Sequence, residues 1–394
     1  MKVLVSDNLG EVGIRMLEAE QGIDVDVKTG LSPEALNEII GDYDALIIRS
    51  TTKVTEDLLK NARRLKVVGR AGIGLDNVDI PAATKRGVVV MNTPDGNVIT
   101  TAEHAIAMMM ALARNVPQGT ASLRAGRWDK KKLQGREICG KTLGVIGFGK
   151  IGSIVADRAR GLQFKVLVYD PHVNPERIEK AGFETVTLDE LYQRSDFITI
   201  HVPKLKDTAG MIDKAAFEKM KDGVMIINCA RGGIVDEADL KEALVSGKVA
   251  GAALDVFEVE PPGASPLFEL ERVICTPHLG ASTGEAEDNC AIMVAENLRE
   301  YLENGNIRHS VNFPEAIMPR TEGQRLTVAN MNVPNMVGQI STDIANAGLN
   351  IEDLLNKSRG DLAYTIVDVN AEPSEQLLDE LRGIKGVLAL RNLG

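Results

Sequence analysis

The stretch LGVIGFGKIG, residues 143–152, places an apolar run directly before three closely spaced glycines. The apolar run predicts a buried strand, and the residues after the glycines predict a helix. At such a junction Gly147 allows a tight turn, Gly149 lets a ligand approach the backbone, and Gly152 lets the helix pack closely on the strand. The pattern predicts a phosphate-binding turn ahead of a helix N-terminus.

A second apolar run, KVLVYD, ends at Asp170, 18 residues after Gly152. An acidic residue at about this distance is typical of dinucleotide-binding units, where it accepts hydrogen bonds from the adenosine ribose. A 2′-phosphate would meet like charge there, and no arginine directly follows, so NAD is favoured over NADP. The alternative is a glycine turn in a flavodoxin-like sheet that binds no dinucleotide.

Strand-like and helix-like segments alternate over residues 1–100 and again after residue 142, which predicts parallel sheets covered by helices. Ser32 is the expected N-cap of one helix. Long helices are expected at about 101–113 and 283–304, a polar loop over 122–141, and a linker or an exposed joint over 312–325. The last 70 or so residues follow a strand-helix-strand-strand-helix-strand order. The predicted fold class is α/β, with two Rossmann-like doubly wound parallel-sheet domains and a C-terminal α+β ferredoxin-like domain.

Composition narrows the functional classes. The net charge of −11 argues against nucleic-acid binding, and no apolar run is long enough for a membrane span. The four cysteines lack CxxC spacing, so neither a metal site nor a disulfide is expected, and no signal peptide is visible. We therefore expect a cytoplasmic protein that binds small molecules.

Polar residues follow three later apolar runs, where the ends of parallel strands converge: Arg231, Asp255 with Glu260, and His278. An arginine can grip and polarise a 2-keto or 2-hydroxy acid, and a histidine oriented by a carboxylate can exchange its hydroxyl proton. These types together indicate hydride transfer with a nicotinamide cofactor. Taken singly, each could instead be structural or solvated. His104 is expected to be a packing or interdomain group.

Six segments together resemble the D-isomer-specific 2-hydroxyacid dehydrogenase family, and within it the branch acting on 3-phosphoglycerate: GRAGIGLDNVD, TAEHAIAM, GKTLGVIGFGKIG, INCARGGIVDE, GAALDVFEVEPP and TPHLGAST. The resemblance covers roughly residues 1–312, and the tail resembles an ACT domain. It implies NAD-dependent oxidation of 3-phospho-D-glycerate at the start of L-serine synthesis. It also implies a discontinuous substrate-binding domain formed by residues 1–100 and 285–312. The NAD-binding domain is then residues 101–284, and the ACT-like regulatory domain is residues 322–394.

The resemblance assigns site residues. It implies that Arg231, Glu260 and His278 are catalytic and that Asp255 contacts the nicotinamide carboxamide. The other implied cofactor contacts are Gly147, Gly149, Lys150, Ile151, Gly152, Asp170, Val202, Pro203, Cys229, Ala230 and Gly280. Cys229 is expected to pack near the cofactor rather than to react. Implied substrate contacts are Arg49, Arg70 and Lys130; Lys130 stands where the family has an arginine, and its KKK run could equally be a solvated loop.

The tail suggests regulation by L-serine. Asn330 and Asn332 are expected in one loop and Asn350 before the next strand, where ACT domains hold amino acids; the alternative is that these asparagines only form turns and caps. The helix TAEHAIAMMMALA resembles the element through which family members form dimers, so a homodimer or homotetramer is expected. Two other functions stay open, a hydroxypyruvate or glyoxylate reductase and an NAD-sensing binding protein of the same fold.

Overall fold

Residues 1–97 form a parallel sheet from short apolar strands that alternate with helices. The computed structural model describes residues 1–394. The strands of this sheet are β1 (Lys2–Val5), β2 (Asp24–Val27), β3 (Ala45–Ile48), β4 (Val67–Arg70) and β5 (Val89–Met91). Its helices are α1 (Glu11–Glu18), α2 (Pro33–Ile39), α3 (Glu56–Asn61) and α4 (Ile80–Lys85), with a 3-10 turn at Ile40–Asp42. The strand order is β2-β1-β3-β4-β5. Ser32 caps α2 as predicted, since its Oγ accepts the Ala35 N–H at 3.2 Å.

Residues 98–283 form a second compact unit with its own seven-stranded parallel sheet. Its strands are β6 (Thr142–Ile146), β7 (Lys165–Tyr169), β8 (Glu184–Thr185), β9 (Phe197–Ile200), β10 (Val224–Asn228), β11 (Val249–Leu254) and β12 (Val273–Cys275). Its helices are α5 (Val98–Ala113), α6 (Val116–Arg124), α7 (Lys150–Gly161), α8 (Pro175–Lys180), α9 (Leu188–Arg194), α10 (Lys214–Lys219) and α11 (Glu237–Ser246).

The strand order of this second sheet is β12-β11-β10-β9-β6-β7-β8. The chain adds β7 and β8 on one side of β6 and then crosses to add β9 to β12 on the other side, so the switch point lies between β6 and β9. In open α/β sheets, ligands bind beyond the carboxyl ends of the strands at such a switch point. The glycine-rich turn leaves β6 at this point, and the polar residues predicted to react follow β10, β11 and β12. The predicted doubly wound sheets are confirmed in both units.

Residues 284–394 rejoin the first unit. The long helix α12 (Gly284–Asn304) lies against α1 so closely that a Cβ on Gly13 would be 2.5 Å from the Ala291 carbonyl oxygen. A four-stranded antiparallel sheet of order β14-β15-β13-β16 follows, in the predicted ferredoxin-like arrangement. The tail consists of β13 (Gln324–Met331), α13 (Met336–Asn346), β14 (Ile351–Arg359), β15 (Leu362–Val369), α14 (Glu375–Gly383) and β16 (Val387–Asn392).

A buried ion pair lies within the tail, and its arginine also bonds to the segment before the tail. Arg325 on β13 and Asp368 on β15 are both fully buried, and Nε donates to Oδ1 at 2.6 Å. Arg325 also donates to the carbonyl oxygens of Met318 and Pro319, at 3.0 and 2.7 Å. Burial would raise the pKa of Asp368, but the bonds from Arg325 and Thr321 hold it below its usual range. Because every donor has an acceptor, the charges can remain buried.

Three predictions about elements need correction. The helix expected from residue 101 begins at Val98. The loop expected from residue 122 begins after Arg124, because α6 ends there. The linker or joint expected over 312–325 is exposed only in part: Phe313 and Met318 are 0% and 4% exposed, because their apolar side chains complete the core of the first unit. No helix is long and apolar enough to cross a membrane.

Candidate active site

The three glycines of the β6–α7 turn are in different environments, and these explain why each position is glycine. Gly147 has φ +95°, and a Cβ there would lie 2.5 Å from the His201 carbonyl oxygen. A Cβ on Gly152 would lie 1.9 Å from the Gly147 carbonyl oxygen, so only glycine allows α7 to pack this closely. Around Gly149, by contrast, no atom from elsewhere in the fold lies within 4 Å of the Cβ position. The fold itself requires Gly147 and Gly152, whereas Gly149 keeps open the space above the turn.

The open space lies at the start of α7. The helix begins at Lys150, and its N-cap residue is Gly149, which has no side chain to cap the first turn. The backbone N–H groups of a first helical turn point out of the helix and attract negative charge. Lys150 and Ile151 belong to this turn. The residues present therefore fit the diphosphate of a dinucleotide.

Asp170 braces the same turn from the end of β7. Its Oδ2 accepts the Phe148 N–H at 2.7 Å, and its Oδ1 accepts the His172 N–H at 2.8 Å. A carboxylate has about four acceptor positions, so each oxygen can accept one more donor. Asp170 thus joins the glycine turn to the position predicted for the ribose hydroxyls.

The backbone around Arg231 is held from both sides. Asn228, 2% exposed at the end of β10, accepts the Ala230 N–H and donates to the Arg231 carbonyl oxygen, both at 3.0 Å. A Cβ on Gly232 would lie 1.7 Å from the Phe257 carbonyl oxygen, so the following turn needs glycine. Arg231 itself is half-buried. Sequence reasoning missed Asn228, whose only signal is an amide at a strand end.

Glu260 and His278 form a direct pair. Nδ1 of His278 lies 2.6 Å from Oε2 of Glu260, and Oε1 of Glu260 accepts the Phe257 N–H at 3.0 Å. A carboxylate favours the tautomer with the proton on Nδ1, and in a neutral ring this leaves the lone pair on Nε2. The side chains are 48% and 36% exposed. The pair can therefore reach a substrate from solvent and exchange a proton with it.

Asp255 holds the loop that carries His278. Its fully buried carboxylate accepts the Thr276 hydroxyl at 2.5 Å, the Leu279 N–H at 2.7 Å and the Gly280 N–H at 2.8 Å. Burial would raise the pKa of Asp255, but bonds from His104, Thr276 and Leu279 hold it below its usual range. His278 has φ +54°, a left-handed backbone uncommon outside glycine. The Asp255 bonds help to hold this conformation.

His104 was expected to be a packing or interdomain group, and the structure adds specific hydrogen-bonding partners for its ring. Its Nε2 lies 3.2 Å from Oδ1 of Asp255 and 3.1 Å from Oγ1 of Thr276, within the second unit. The imidazole joins α5 to the loop after β12. Its sequence signal was a histidine among the few polar residues of the largely apolar helix that contains TAEHAIAM.

The remaining predicted cofactor contacts surround the same sheet edge. Val202 and Pro203 follow β9, half-buried and exposed respectively. Cys229 follows β10 and is 6% exposed. Burial, with a contribution from Asp255, raises the pKa of its thiol, which is the environment of a packed and unreactive cysteine.

The predicted substrate residues lie in different parts of the chain. Arg49 and Arg70 belong to the first unit, at the carboxyl ends of β3 and β4. Nη1 of Arg49 lies 3.1 Å from Oε1 of Glu287 on α12, so this cation already has a carboxylate partner. Lys130 is exposed in the irregular segment of the second unit. Their contacts with substrate stay predictions.

The tail asparagines differ in environment. Asn330 was expected in a loop, but it lies within β13 and is fully buried, because β13 is an inner strand with β15 and β16 on its two sides. Its Nδ2 donates to the Met331 carbonyl oxygen at 2.8 Å, whereas its buried Oδ1 has no hydrogen-bond partner. Asn332 and Asn350 are exposed and follow or precede strands, as predicted.

Known proteins resemble this chain both in sequence and in structure. Residues 106–280 match the NAD-binding domain of D-isomer specific 2-hydroxyacid dehydrogenases. D-3-phosphoglycerate dehydrogenase of Archaeoglobus fulgidus is 50% identical over 80% of this chain and 60% of its own length. That of Synechocystis is 46% identical over 98% of this chain and 67% of its own length. This chain thus spans about two thirds of these relatives. A solved glyoxylate reductase from Paecilomyes thermophila is 31% identical, with a TM-score of 0.73 over 79% of this chain and 98% of its own.

Proposed function

Because this chain belongs to the D-3-phosphoglycerate dehydrogenase family, we propose that it oxidises 3-phospho-D-glycerate to 3-phosphohydroxypyruvate with NAD, the first step of L-serine biosynthesis. The observation that carries this proposal is the 2.6 Å contact between Glu260 and His278, in the same unit as the glycine turn of a matched NAD-binding domain. The chain is shorter than its relatives, so the reaction is inferred for this chain from its own residues as well.

The proposed proton acceptor is Nε2 of His278. It takes the proton of the substrate 2-hydroxyl, while Glu260 keeps Nδ1 protonated and stabilises the imidazolium that forms. Bound NAD supplies the acceptor for the hydride that leaves the same carbon. In the reverse reaction, the protonated imidazole of His278 gives its proton to the keto oxygen.

Arg231 is proposed to orient the substrate. A guanidinium offers paired donors that match a carboxylate, and it polarises the oxygen on the neighbouring carbon. The bonds from Asn228 and the close approach at Gly232 support this role, because they fix the backbone from which the side chain extends. Arg49, Arg70 and Lys130 are proposed for the substrate phosphate.

The proposed NAD contacts follow from the β6–α7 turn. The first turn of α7, with Gly149, Lys150 and Ile151, would hold the diphosphate, and Asp170 would accept the ribose hydroxyls. The nicotinamide end would lie near Val202, Pro203, Cys229, Ala230, Asp255 and Gly280. Both carboxylate oxygens of Asp255 already accept protein donors. A contact with the nicotinamide carboxamide would therefore use a lone pair that these donors leave free.

A reductase for hydroxypyruvate or glyoxylate is the second candidate, supported by the likeness to the solved glyoxylate reductase. The experiment that separates the two follows NADH absorbance. The phosphoglycerate proposal expects NADH formation from 3-phosphoglycerate with a kcat/KM well above that for unphosphorylated 2-hydroxy acids. Preference for glyoxylate or hydroxypyruvate would favour the reductase, and no turnover of any of them would favour an NAD-sensing binding protein.

We further propose that the tail is an ACT-like domain that binds L-serine through Asn330, Asn332 and Asn350. The buried, unpartnered Oδ1 of Asn330 supports a ligand that brings a donor. A homodimer or homotetramer is proposed as well. It is supported by apolar side chains on and after α6 that are largely exposed, with Leu123 at 61% and Trp128 at 80%. A cytoplasmic location is proposed from the four cysteines, none of which is in a disulfide.

A further inference from the structure

A cavity of about 410 Å³ lies between the first parallel sheet and the tail, with a strongly cationic lining. The lining includes five cationic side chains and one carboxylate: Arg63, Arg64, Lys66, Arg86, Arg391 and Asp44. The whole chain carries a net charge of −11. So many cations around one cavity of an acidic protein therefore need an explanation.

The single carboxylate is already engaged. Asp44 is 3% exposed, and its oxygens lie 3.0 Å from Nη2 of Arg64 and 3.1 Å from Nζ of Lys66. It also accepts the Lys2 N–H at 2.8 Å. Burial would raise the pKa of Asp44, but these three donors hold it below its usual range. Asp44 thus leaves Arg63 and Arg86 without a carboxylate partner.

Arg391 supplies the tail side of the cavity. It is 9% exposed on β16, and its Nη1 and Nη2 donate to the carbonyl oxygens of Tyr301 and Leu302 at 2.8 and 2.7 Å. Its Nε is buried and donates to no acceptor. Its guanidinium lies 4.4 Å from the centre of the Tyr301 ring, which also lines the cavity. The Arg391 guanidinium therefore adds a positive charge at the tail side of the cavity.

The cavity spans a close contact between two parts of the first unit. A Cβ on Gly87, in the turn after α4, would lie 2.5 Å from the Cβ of Ala389 on β16. Arg63, Arg64, Lys66 and Arg86 come from the parallel-sheet side, and Arg391 comes from the tail. A ligand that bridged them would stabilise the docked position of β16.

This position is separate from the proposed substrate residues. Asp44 and Lys66 directly precede β3 and β4, at the amino ends of these strands. Arg49 and Arg70 lie at the carboxyl ends of the same strands. The cavity and the proposed substrate arginines are therefore on opposite edges of the sheet.

We propose that this cavity is a binding site for a small multiply charged anion, a free phosphate or a phosphate ester. Such an anion matches the guanidinium donors of Arg63 and Arg86, which have no carboxylate partner, and is attracted by the positive charges of Arg64, Lys66 and Arg391. The volume of about 410 Å³ has ample room for a phosphate or a small phosphate ester. Binding would hold the tail against the parallel sheet.

The test is calorimetric titration of the full chain with inorganic phosphate and, separately, with glycerol 3-phosphate, at constant ionic strength set with chloride. Saturable binding is expected, and R63Q/R86Q should weaken it about tenfold or more. Tighter binding of one of the two probes identifies the source of the anion. Both arginines are exposed, so this variant keeps the fold.

Two controls complete the experiment. R177Q/R308Q removes two exposed arginines elsewhere and should bind phosphate within about twofold of the unmodified protein. R231Q, in the proposed active site, should retain the cavity binding even if the proposed function is wrong. Hydrogen exchange of residues 387–392 should slow with phosphate only when Arg63 and Arg86 are present. Absence of saturable binding, or equal binding by R63Q/R86Q, would overturn the proposal.

Discussion

Asp255→Asn tests whether one buried carboxylate holds the loop of His278. The amide keeps one acceptor oxygen, which can replace Oδ1 and accept from Thr276 and Leu279. Its NH₂ group then faces the Gly280 N–H, donor against donor, at the 2.8 Å separation of the present bond. The substitution therefore removes one charge-assisted bond and leaves a buried N–H without an acceptor.

The expected loss of stability is about 2–3 kcal/mol, from the range for hydrogen bonds to charged groups. In a unit of this size that lowers Tm by roughly 4–12 °C. The loss also depends on pH. The pKa of Asp255 is held below its usual range, so its stabilisation is fully present above about pH 4, the ordinary value for an aspartate, and is lost as pH falls through the lower folded value.

Thermal unfolding followed by calorimetry is the assay, at neutral pH and in steps toward acid. The gap between Asp255→Asn and the unmodified protein should be largest near neutrality and should shrink in acid. The control Asp207→Asn changes an exposed aspartate of the same unit and should shift Tm by less than about 2 °C. A gap that stays constant with pH, or a Tm unchanged at neutrality, would refute the reasoning. The kcat of Asp255→Asn should also fall, because His278 loses its support.

Three further predictions concern ligands. Asp170→Ala should weaken NAD binding and narrow the preference for NAD over NADP in fluorescence titrations, and an unmodified protein that already prefers NADP would contradict the ribose assignment. Arg70→Ala should raise KM for 3-phosphoglycerate much more than KM for hydroxypyruvate in steady-state assays; equal losses would assign Arg70 to the carboxylate or to the fold. Millimolar L-serine should lower activity, with a coupling of about 1–3 kcal/mol, and Asn332→Ala should relieve it; a rate and Tm that ignore serine would count against an effector site.

Much of the fold could be predicted because local sequence and global structure agree. Apolar runs of four or five residues became strands buried on both faces, as in Ala45–Ile48. The three glycines of the β6–α7 turn could be assigned separate reasons, because a left-handed φ and a close backbone approach both exclude a Cβ. The polar residues after β10, β11 and β12 could be grouped because parallel strands end at one edge.

What the sequence could not predict depends on distances across the fold. His104 lies 151 positions before Asp255, and only the packing of α5 on the sheet brings them to 3.2 Å. The burial of Phe313 and Met318 depends on a core built from other segments. Asn330 looked like a loop residue because β13 was expected to end earlier, whereas pairing with β15 continues to Met331.

The most direct test of the central claim is the rate of NADH formation from 3-phosphoglycerate by His278→Gln, measured with saturating NAD. The side chain lies on an exposed loop and stays polar, so NAD binding should be unchanged within about twofold. The account predicts that kcat falls by two to four orders of magnitude, the range for a positioned general base. A kcat within about threefold of the unmodified protein would show that Nε2 of His278 does not take the substrate proton.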